Sequence, residues 1–489
     1  MNIADLVESQ ARLRPDAPAL IQGKSQLGFA GLHAAVQRAA SAFAKQGLGP
    51  GDTVGIALGF TTVHVVALLA LSRLGAVWVQ VPVNEDAAKR KAIVQQFKVS
   101  AIVALDKAGG VEGCGLVLCD AALWMHKGPA APHPSAPGGE QPWCLMLSSG
   151  TTGTPRAIVR THAQAIRLAG LQARLVGVQP EDRFLCCVSP VLAASQMRLL
   201  RHLLSGSAVV FDSGRELAHA IERHRITHTF VTPVLLESWV KNYRARMGSL
   251  KSMRHFASGG GALTAAMSAA FMERVTPHFF VNYGTVETGM SALADPATHR
   301  RHPASIGRVV PWLEAQVVDE RDQPLPPGQS GALRFRGEAI ATGYFPPETE
   351  TLEAAKAFRG GWFYPGDIAS IDREGIVTIE GRADDVVNVG GAKVSMGEIE
   401  RVFAEHPNVS EAAAFRTASP QGWDVLMAAV VVRGEVDDEA LLEYGRARLG
   451  GRRAPSRIFR LDALPRNAMG KVVRRELASR CGISAPSTT

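Results

Sequence analysis

A run of small and hydroxyl-bearing residues separates two apolar segments near residue 150. The apolar segments are 144–147 and 157–159, and the run between them reads Ser148-Ser149-Gly150-Thr151-Thr152-Gly153-Thr154-Pro155-Arg156. Glycines let the backbone approach a ligand closely, hydroxyls and backbone N–H groups donate hydrogen bonds, and the arginine adds a fixed positive charge. The pattern therefore predicts a connection between two strands that can wrap a polyphosphate.

The position of the next helix excludes the phosphate loop of ordinary NTPases. Thr161 and Gln164 form a capping-box pattern, which predicts that a helix begins near Thr161, after the second strand. A Walker-type loop ends in Gly-Lys-Ser/Thr and enters its helix directly. The chain has no such ending at this point, so we expect a phosphate-binding loop of another kind.

Length and apolar content favour a protein with more than one domain. The chain has 489 residues, of which 46% are hydrophobic, and this is enough for more than one core. The apolar run 65–83 carries Arg73 and Gln80, so it predicts a buried helix leading into a strand, not a membrane span. The first residues carry acids and no apolar stretch, so we expect no signal peptide.

Cysteine spacing and the distribution of charge argue against a zinc-binding, disulfide-rich or nucleic-acid-binding protein. The six cysteines form no pair of Cys-x-x-Cys motifs, which argues against structural zinc and a disulfide framework and favours a cytoplasmic location. The formal net charge is +8, and residues 446–480 carry eleven Lys/Arg against two acids. Such a segment suits an acidic partner or a solvated face. Nucleic acid is disfavoured because Phe459 is the segment's only aromatic residue.

Turn and cap signals indicate two domains. Residues 1–125 alternate helical and strand patterns, and a Pro/Gly-rich connection covers 128–139. A strand is expected at 331–335. Near the C-terminus, Ser395 and Glu398 predict a capping box, and Ile399, Val402 and Phe403 share one face of the helix that follows. We expect a large N-terminal domain over 1–381 and a small α+β domain over 382–489.

Four further motifs follow the glycine-hydroxyl loop in order. They are Asn282-Tyr283-Gly284-Thr285-Val286-Glu287, Gly361-Trp362-Phe363-Tyr364-Pro365-Gly366-Asp367, Gly381-Arg382-Ala383-Asp384-Asp385 and Pro465-Arg466-Asn467-Ala468-Met469-Gly470-Lys471. Together with the loop they resemble the acyl-adenylating superfamily of acyl-CoA synthetases, adenylation domains and luciferase-like enzymes. The resemblance runs from about residue 1 to 480. It implies a large α/β domain of several subdomains and a mobile C-terminal domain.

The resemblance also implies an ATP- and AMP-binding site. The residues it assigns to this site are Ser148, Ser149, Gly150, Thr151, Thr152, Gly153, Arg156, Gly259, Gly260, Gly261, Asn282, Tyr283, Gly284, Thr285, Asp367 and Arg382. Asp367 is expected to accept hydrogen bonds from the ribose hydroxyls, and Tyr283 to stack near the adenine.

Three residues are expected to be catalytic. Glu287 is the expected Mg²⁺ ligand, because magnesium prefers carboxylate and phosphate oxygens. Lys471 would reach the reacting carboxylate and the α-phosphate as a compact point charge, and Arg382 would hold ribose or phosphate. Together these groups would lower the barrier to attack by a carboxylate on a polyanion.

Transfer to a thiol is the second implied step. In the family, the C-terminal domain swings about a hinge, which matches Asp384 here, and this motion removes the lysine after adenylation. Gly390 and Gly391 would then lie beside a thiol channel. The acceptor is expected to be coenzyme A, with the phosphopantetheine of an acidic carrier protein as the alternative.

Several positions depart from the family pattern. Arg156 stands where lysine is usual and Ala157 where glycine is usual, and Val286 replaces a threonine hydroxyl. Pro365 replaces the threonine before Gly-Asp. Asn388 replaces a lysine that is common after the hinge, and Ala193 stands where histidine or an aromatic residue often lies.

The expected substrate is a small carboxylic acid. By family position the acyl pocket would include Ala193, Val231, Gly259 and Gly289, and these stretches offer no carboxylate to pair the ammonium of a free amino acid. An aryl or aliphatic monocarboxylate is therefore expected. Two alternatives remain: adenylation coupled to oxidation, as in luciferases, and a nucleotide-binding protein of this fold without turnover. The sequence indicates no oligomeric state.

Overall fold

The computed structural model describes most of the chain. The described residues are 1–59, 61–125, 130, 133–148, 156–189, 192–212, 217–233, 235–236, 239, 250–261, 263–346, 352–389, 392–418, 424–451, 453–466 and 472–483. Within them the helices are α1 (Ile3–Leu13), α2 (Phe29–Lys45), α3 (Thr62–Leu74), α4 (Ala87–Gln96), α5 (Ala121–Trp124), α6 (His162–Val176), α7 (Ala193–Leu204), α8 (Leu217–His224), α9 (Ala265–Arg274), α10 (Pro296–Arg301), α11 (Leu352–Ala357), α12 (Met396–Ala404), α13 (Asp438–Leu449) and α14 (Arg474–Arg480).

The strands alternate with these helices. They are β1 (Pro18–Gln22), β2 (Ser25–Gly28), β3 (Thr53–Ala57), β4 (Val77–Gln80), β5 (Ala101–Ala104), β6 (Gly115–Leu118), β7 (Pro142–Ser148), β8 (Arg156–Thr161), β9 (Arg183–Cys186), β10 (Ala208–Phe211), β11 (His228–Val231), β12 (His255–Gly259), β13 (Phe279–Thr285), β14 (Gly289–Ala294), β15 (Gly307–Val309), β16 (Glu314–Val318), β17 (Gly331–Arg336), β18 (Phe358–Arg359), β19 (Trp362–Phe363), β20 (Asp367–Ile371), β21 (Ile376–Arg382), β22 (Val386–Val389), β23 (Ala392–Ser395), β24 (Val409–Ala418), β25 (Asp424–Val432) and β26 (Arg457–Arg460).

The chain divides into two units. The first consists of Met1–Pro303, Val310–Leu313 and Gly337–Gly360, and the second of Ala304–Val309, Glu314–Arg336 and Gly361–Thr489. The domain boundary predicted near Arg382 lies inside the second unit. The hinge at this point stays a prediction.

Two largely parallel sheets organise the first unit. One has the strand order β6-β5-β3-β4-β7-β8, and within this unit the other runs β14-β13-β12-β11-β9-β10-β1-β2. Antiparallel pairs occur at the ends, between β7 and β8, β13 and β14, and β1 and β2. Helices that cross between parallel strands cover their faces, which explains the continuous apolar character of the strands.

The apolar run 65–83 forms the buried helix and strand that the sequence predicts. Helix α3 is buried along almost its whole length and ends at Gly75, whose φ of 76° is the left-handed cap conformation. Strand β4 follows, and its Trp78 packs edge-on against Trp143 of β7 with ring centroids 5.2 Å apart. Helix and strand thus support the strand that leads into the glycine-hydroxyl loop.

The second unit contains an antiparallel sheet and a small α+β body. The sheet has the order β19-β17-β20-β21-β15, with β16 paired to β17. Strands β24, β25 and β26 form another sheet, and α12 and α13 pack on it through Ile399, Phe403 and Leu441. The predicted strand at 331–335 is confirmed as β17, and the small α+β fold of the C-terminal part is confirmed.

One predicted helix cap is wrong. Helix α12 begins after Ser395 as expected, but the Ser395 side chain makes no capping hydrogen bond. Glu398 instead forms an ion pair with Arg453 of the same unit, so its carboxylate is not available to complete a capping box. Among the described residues, no helix is both long enough and apolar enough to span a membrane.

Candidate functional site

The β7–β8 hairpin frames the predicted phosphate loop. Ser148 is the last residue of β7 and pairs with Arg156, the first residue of β8. The capping box predicted after this hairpin is confirmed, since Thr161 and Gln164 exchange both hydrogen bonds at the start of α6. The loop residues Ser149, Gly150, Thr151, Thr152 and Gly153 lie outside the described residues, so their phosphate-binding role stays a prediction.

A buried arginine on β8 holds the backbone that carries Glu287. Arg160 is 1% exposed, and its guanidinium donates to the carbonyl oxygens of Ala339 at 2.6 Å, Val286 at 3.0 Å and Glu287 at 2.8 Å. The N–H of Ala341 donates to the same Glu287 carbonyl at 2.9 Å. Burial lowers the pKa of Arg160 to about 10, which leaves it charged at neutral pH. The segment is therefore fixed by charge-assisted hydrogen bonds.

The side chain of Glu287 is held as well. It is 7% exposed, and its Oε1 accepts a hydrogen bond of 2.8 Å from the hydroxyl of Tyr344. The Arg156 guanidinium lies 5.3 Å from the centroid of the same tyrosine ring, so the predicted phosphate-loop cation and the predicted metal ligand share one neighbour. No other described residue hydrogen-bonds to this carboxylate.

This arrangement fits Mg²⁺ better than an all-protein metal site. The described residues contain no group of three or more His, Cys, Asp or Glu side chains that could hold a metal ion. Magnesium usually binds one or two carboxylates and completes its shell with water and substrate phosphates. A single oriented carboxylate, with one oxygen that no described residue hydrogen-bonds, matches that pattern, so Glu287 is suited to hold Mg²⁺ on a nucleotide.

The predicted adenine segment forms a tight hairpin. Asn282, Tyr283, Gly284 and Thr285 end β13, which pairs with β14. A side chain at Gly284 would place its Cβ 1.9 Å from the carbonyl oxygen of Gly289, so only glycine fits. The Thr285 hydroxyl lies 3.1 Å from the Thr288 hydroxyl, so it already has a hydrogen-bond partner beside Val286.

The predicted acyl-pocket residues gather at the carboxyl ends of neighbouring strands. Val231 ends β11 and pairs with Ser258, next to Gly259 at the end of β12. Gly260 and Gly261 follow at once, and Ala193 begins α7. Ligands commonly bind at the carboxyl ends of strands in open α/β sheets. The structure therefore brings the small residues of the predicted pocket to one edge of the sheet.

Asp367 and Arg382 lie together in the second unit. They face each other on β20 and β21, and the Arg382 Nη1 donates to the Asp367 Oδ1 at 3.2 Å and to the Pro365 carbonyl at 2.7 Å. Asp367 is 8% exposed. The carboxylate is thus oriented by the arginine that the sequence assigns to the same nucleotide. Contact with ribose stays a prediction.

Other predicted residues are not described at the level that their roles require. Asp384 lies in a short 3₁₀ helix of one turn, Ala383–Asp385, and only its backbone is described. The residues outside the described part of the chain are Gly390, Gly391 and Lys471. The thiol channel and the catalytic lysine therefore stay predictions.

Sequence reasoning missed two residues of the site, Arg160 and Tyr344. The signal for Arg160 was a charged residue at the end of an otherwise apolar strand. Its partner Ala339 lies 179 positions away in the sequence, so the contact has no local signature. Tyr344 follows a glycine in a loop-like stretch, and nothing local links it to Glu287, 57 positions earlier.

Comparison with protein-family models identifies the chain. The model for "AMP-binding enzyme" matches residues 7–345, and the model for "AMP-binding enzyme C-terminal domain" matches residues 398–471. The chain belongs to the AMP-binding enzyme family. It is an AMP-forming ligase that depends on ATP, as the resemblance of its motifs predicted.

Individual relatives cover the chain almost completely. The 3-hydroxybenzoate–CoA ligase of Aromatoleum sp. (strain CIB) is 27% identical over 98% of this chain and 96% of its own. A probable non-canonical nonribosomal peptide synthetase, CymA of Salinispora arenicola (strain CNS-205), is 28% identical over 96% of this chain, but the chain spans only 6% of that protein.

The solved structures agree with the fold. O-succinylbenzoate–CoA synthetase (MenE) of Bacillus subtilis, solved with the acyl-adenylate intermediate OSB-AMP, is 25% identical and has a TM-score of 0.87. The similarity covers 96% of this chain and 97% of that one. The α/β architecture with a large N-terminal and a smaller C-terminal domain is therefore confirmed.

Proposed function

We propose that the protein joins an aryl or aliphatic monocarboxylate to AMP, with release of pyrophosphate, and passes the acyl group to the thiol of coenzyme A. The observation that carries this proposal is the fixing of Glu287. Its backbone is held by Arg160, one carboxylate oxygen is held by Tyr344, and the other oxygen has no described hydrogen-bond partner. A carboxylate oriented in this way is suited to hold Mg²⁺ against ATP phosphates.

The remaining predicted residues have complementary tasks. Bound Mg²⁺ would supply positive charge at the phosphates. Asp367, oriented by Arg382, would accept hydrogen bonds from the ribose hydroxyls. Lys471 would bring the acid and the α-phosphate together as a point charge, so that the attacking carboxylate meets less repulsion. Asp384 would serve as the hinge for the second step.

An aryl acid is the favoured substrate class. The curated relative is named for 3-hydroxybenzoate and the solved one for o-succinylbenzoate, and both names specify CoA. The described pocket residues Ala193, Val231, Gly259 and Gly289 are small or aliphatic, so they leave room for a ring at the edge of the sheet. This supports a small aryl acid ahead of a free amino acid.

A second acceptor has support from one observation. The chain also matches a segment of a nonribosomal peptide synthetase. Phosphopantetheine on a separate carrier protein is therefore the alternative acceptor. The basic segment 446–480 suits an acidic carrier as well as coenzyme A.

Pyrophosphate exchange tests the first half-reaction. Purified full-length protein is assayed with ATP, Mg²⁺ and a panel of aryl and aliphatic acids. Glu287→Gln and Lys471→Ala should each reduce exchange by roughly 10²-fold or more, because each removes charge that acts on the reacting phosphate. Glu338→Gln is the matched control, since Glu338 is an exposed glutamate of the same unit that pairs with Arg167.

The thiol acceptor is tested separately with the best acid. Thioester formation is measured with coenzyme A and with a phosphopantetheinylated carrier protein. Efficient transfer to coenzyme A supports the proposal, and transfer to the carrier alone assigns the alternative. ATP binding without exchange, for every acid of the panel, would refute adenylation and leave a nucleotide-binding protein without turnover.

A further inference from the structure

A buried cation lies on α7, the helix that begins at the predicted pocket residue Ala193. Arg198 of α7 is 6% exposed, and its guanidinium lies 3.8 Å from the centroid of the Phe230 ring. Its Nη1 donates to the Ala194 carbonyl oxygen at 3.0 Å, while its buried Nε has no hydrogen-bond partner in the part of the chain that the structure describes. In the described part of the chain, no Asp or Glu forms an ion pair with it. The charge of Arg198 is therefore uncompensated among these residues.

Holding this charge is costly for the folded protein. Arg201, one turn further along α7, is also buried and repels Arg198, and burial together with this repulsion lowers the pKa of Arg198 well below its usual value. A buried charge without an opposite charge or full hydrogen bonding is strongly disfavoured. An oxygen ligand that accepts hydrogen bonds from the free part of the guanidinium would offset part of this cost.

The groups around Arg198 are neighbours in sequence of predicted pocket residues, since Phe230 precedes Val231 and Ala193 begins the same helix. Arg198 packs between α7 and the sheet, near Cys186 and Phe230 at the carboxyl ends of β9 and β11. Ala193, the first residue of the same helix, belongs to the predicted pocket. Ala257 on β12 packs in the same apolar cluster as Cys186 and Phe230. Small apolar residues therefore surround the buried guanidinium of Arg198.

A hydroxyl on the same helix face adds a second polar group. Ser195 is 2% exposed, and its Oγ has no hydrogen-bond partner among the described residues. Residues three apart on an α-helix lie on the same face, so Ser195 lies between Ala193 and Arg198 along α7. Two buried side chains with unsatisfied donors on one face indicate that a polar group of a ligand belongs there.

We infer that Arg198, assisted by Ser195, binds an oxygen substituent of the acyl group at the end remote from the reacting carboxylate. The enzyme therefore selects acids that carry such an oxygen, as a hydroxyl or a second carboxylate, over their unsubstituted analogues. This inference rests on the proposed function, because it requires the acyl group to enter beside Ala193. A second carboxylate would form the stronger, bidentate contact with the guanidinium, and would correct the monocarboxylate expected from the sequence.

The test compares matched acids in exchange and in binding. The panel contains benzoate, the three hydroxybenzoates, the three benzenedicarboxylates, butanoate, 4-hydroxybutanoate and succinate. Full-length wild type, Arg198→Met and Arg198→Lys are assayed by pyrophosphate exchange, and acid binding is measured by calorimetry. Arg73→Met is the matched control, since it removes a buried arginine of the same unit whose guanidinium already donates to the His133 carbonyl oxygen and pairs with Glu8.

The expected result is a loss of discrimination confined to one variant. Wild type should favour an oxygen-substituted acid, which gives a high ratio of kcat/KM for the substituted acid to kcat/KM for the unsubstituted acid. Arg198→Met should reduce this ratio by roughly 10- to 100-fold. Arg198→Lys should retain part of the preference, and Arg73→Met should keep it. The class of favoured acid distinguishes a hydroxyl from a second carboxylate.

Two outcomes would overturn the inference. One is a wild type that prefers the unsubstituted acids, and the other is an Arg198→Met ratio within twofold of wild type in a folded protein. Absence of exchange with every acid would instead contradict the proposed function. In that case calorimetry still decides the inference, because selective binding of substituted acids must weaken in Arg198→Met and persist in Arg73→Met.

Discussion

Removal of the Tyr344 hydroxyl should weaken magnesium use without disturbing the fold. Tyr344→Phe deletes the donor that lies 2.8 Å from Glu287 Oε1 and keeps the ring, which packs edge-on against Phe358 with centroids 5.3 Å apart. A hydrogen bond to a charged acceptor contributes about 1.5–3 kcal/mol, which corresponds to roughly 10- to 150-fold in an equilibrium constant. Groups that orient a metal ligand have effects of about 10- to 100-fold on metal affinity.

The assay is a magnesium titration of pyrophosphate exchange at saturating ATP and acid. The Mg²⁺ concentration for half-maximal exchange should rise by roughly 10- to 100-fold in Tyr344→Phe, with thermal unfolding close to that of wild type. Tyr364→Phe is the matched control, because Tyr364 donates to Asp322 at 3.0 Å in the second unit. An unchanged half-saturation in Tyr344→Phe, or an equal shift in Tyr364→Phe, would refute the role of the hydroxyl in positioning Glu287.

Three further variants test the site and the core. Arg160→Met removes a donor from three carbonyl oxygens, of which only that of Glu287 keeps another donor among the described residues, the Ala341 N–H, and should lower the free energy of unfolding by about 3–5 kcal/mol; a loss under about 1 kcal/mol in urea titrations would contradict this. Asp367→Ala should raise the KM for ATP by roughly tenfold or more, since a carboxylate acceptor for the ribose hydroxyls is lost. An unchanged KM for ATP would contradict the assignment of Asp367 to the ribose. Burial lowers the pKa of His64 to about 4, against about 6.5 in the unfolded chain. The folded chain then binds fewer protons between these pH values, so stability is lost as the pH falls from about 6.5 to about 4. His64→Leu should lose about 3 kcal/mol less than wild type between pH 7 and pH 4, and equal losses in urea unfolding would contradict this.

Local patterns predicted much of the framework correctly. The capping box at Thr161, the buried helix and strand within 65–83, and the strand at 331–335 all depend on residues that are close in sequence. The cap at Ser395 failed for a long-range reason, since Glu398 pairs with Arg453, 55 positions later. A cap pattern specifies which hydrogen bonds a helix start can make. It does not specify which distant group competes for the same carboxylate.

In the candidate site, too, the sequence predicted the residues of short motifs but not the contacts between distant segments. Motifs identified Glu287, Asp367 and Arg382, because each lies in a short run with a recognisable spacing. Asp367 and Arg382 are also brought together by the pairing of two successive strands, which a sequence pattern can anticipate. The group that fixes Glu287 could not be anticipated, because Arg160 reaches it from a strand 127 positions earlier.

Two buried arginines, Arg160 and Arg198, are expected to contribute to different properties for the same physical reason. Arg160 contributes to the stability of the fold, and Arg198 contributes to the choice of acid. A guanidinium out of water must meet acceptors. Arg160 donates hydrogen bonds to three carbonyl oxygens of the protein itself and so holds the backbone around Glu287. Its substitution should therefore lower the free energy of unfolding. Arg198 meets one carbonyl oxygen and an aromatic face, and its Nε remains unsatisfied. We infer that a ligand supplies an acceptor to Arg198, so its substitution should change which acid is used more than it changes the stability of the fold.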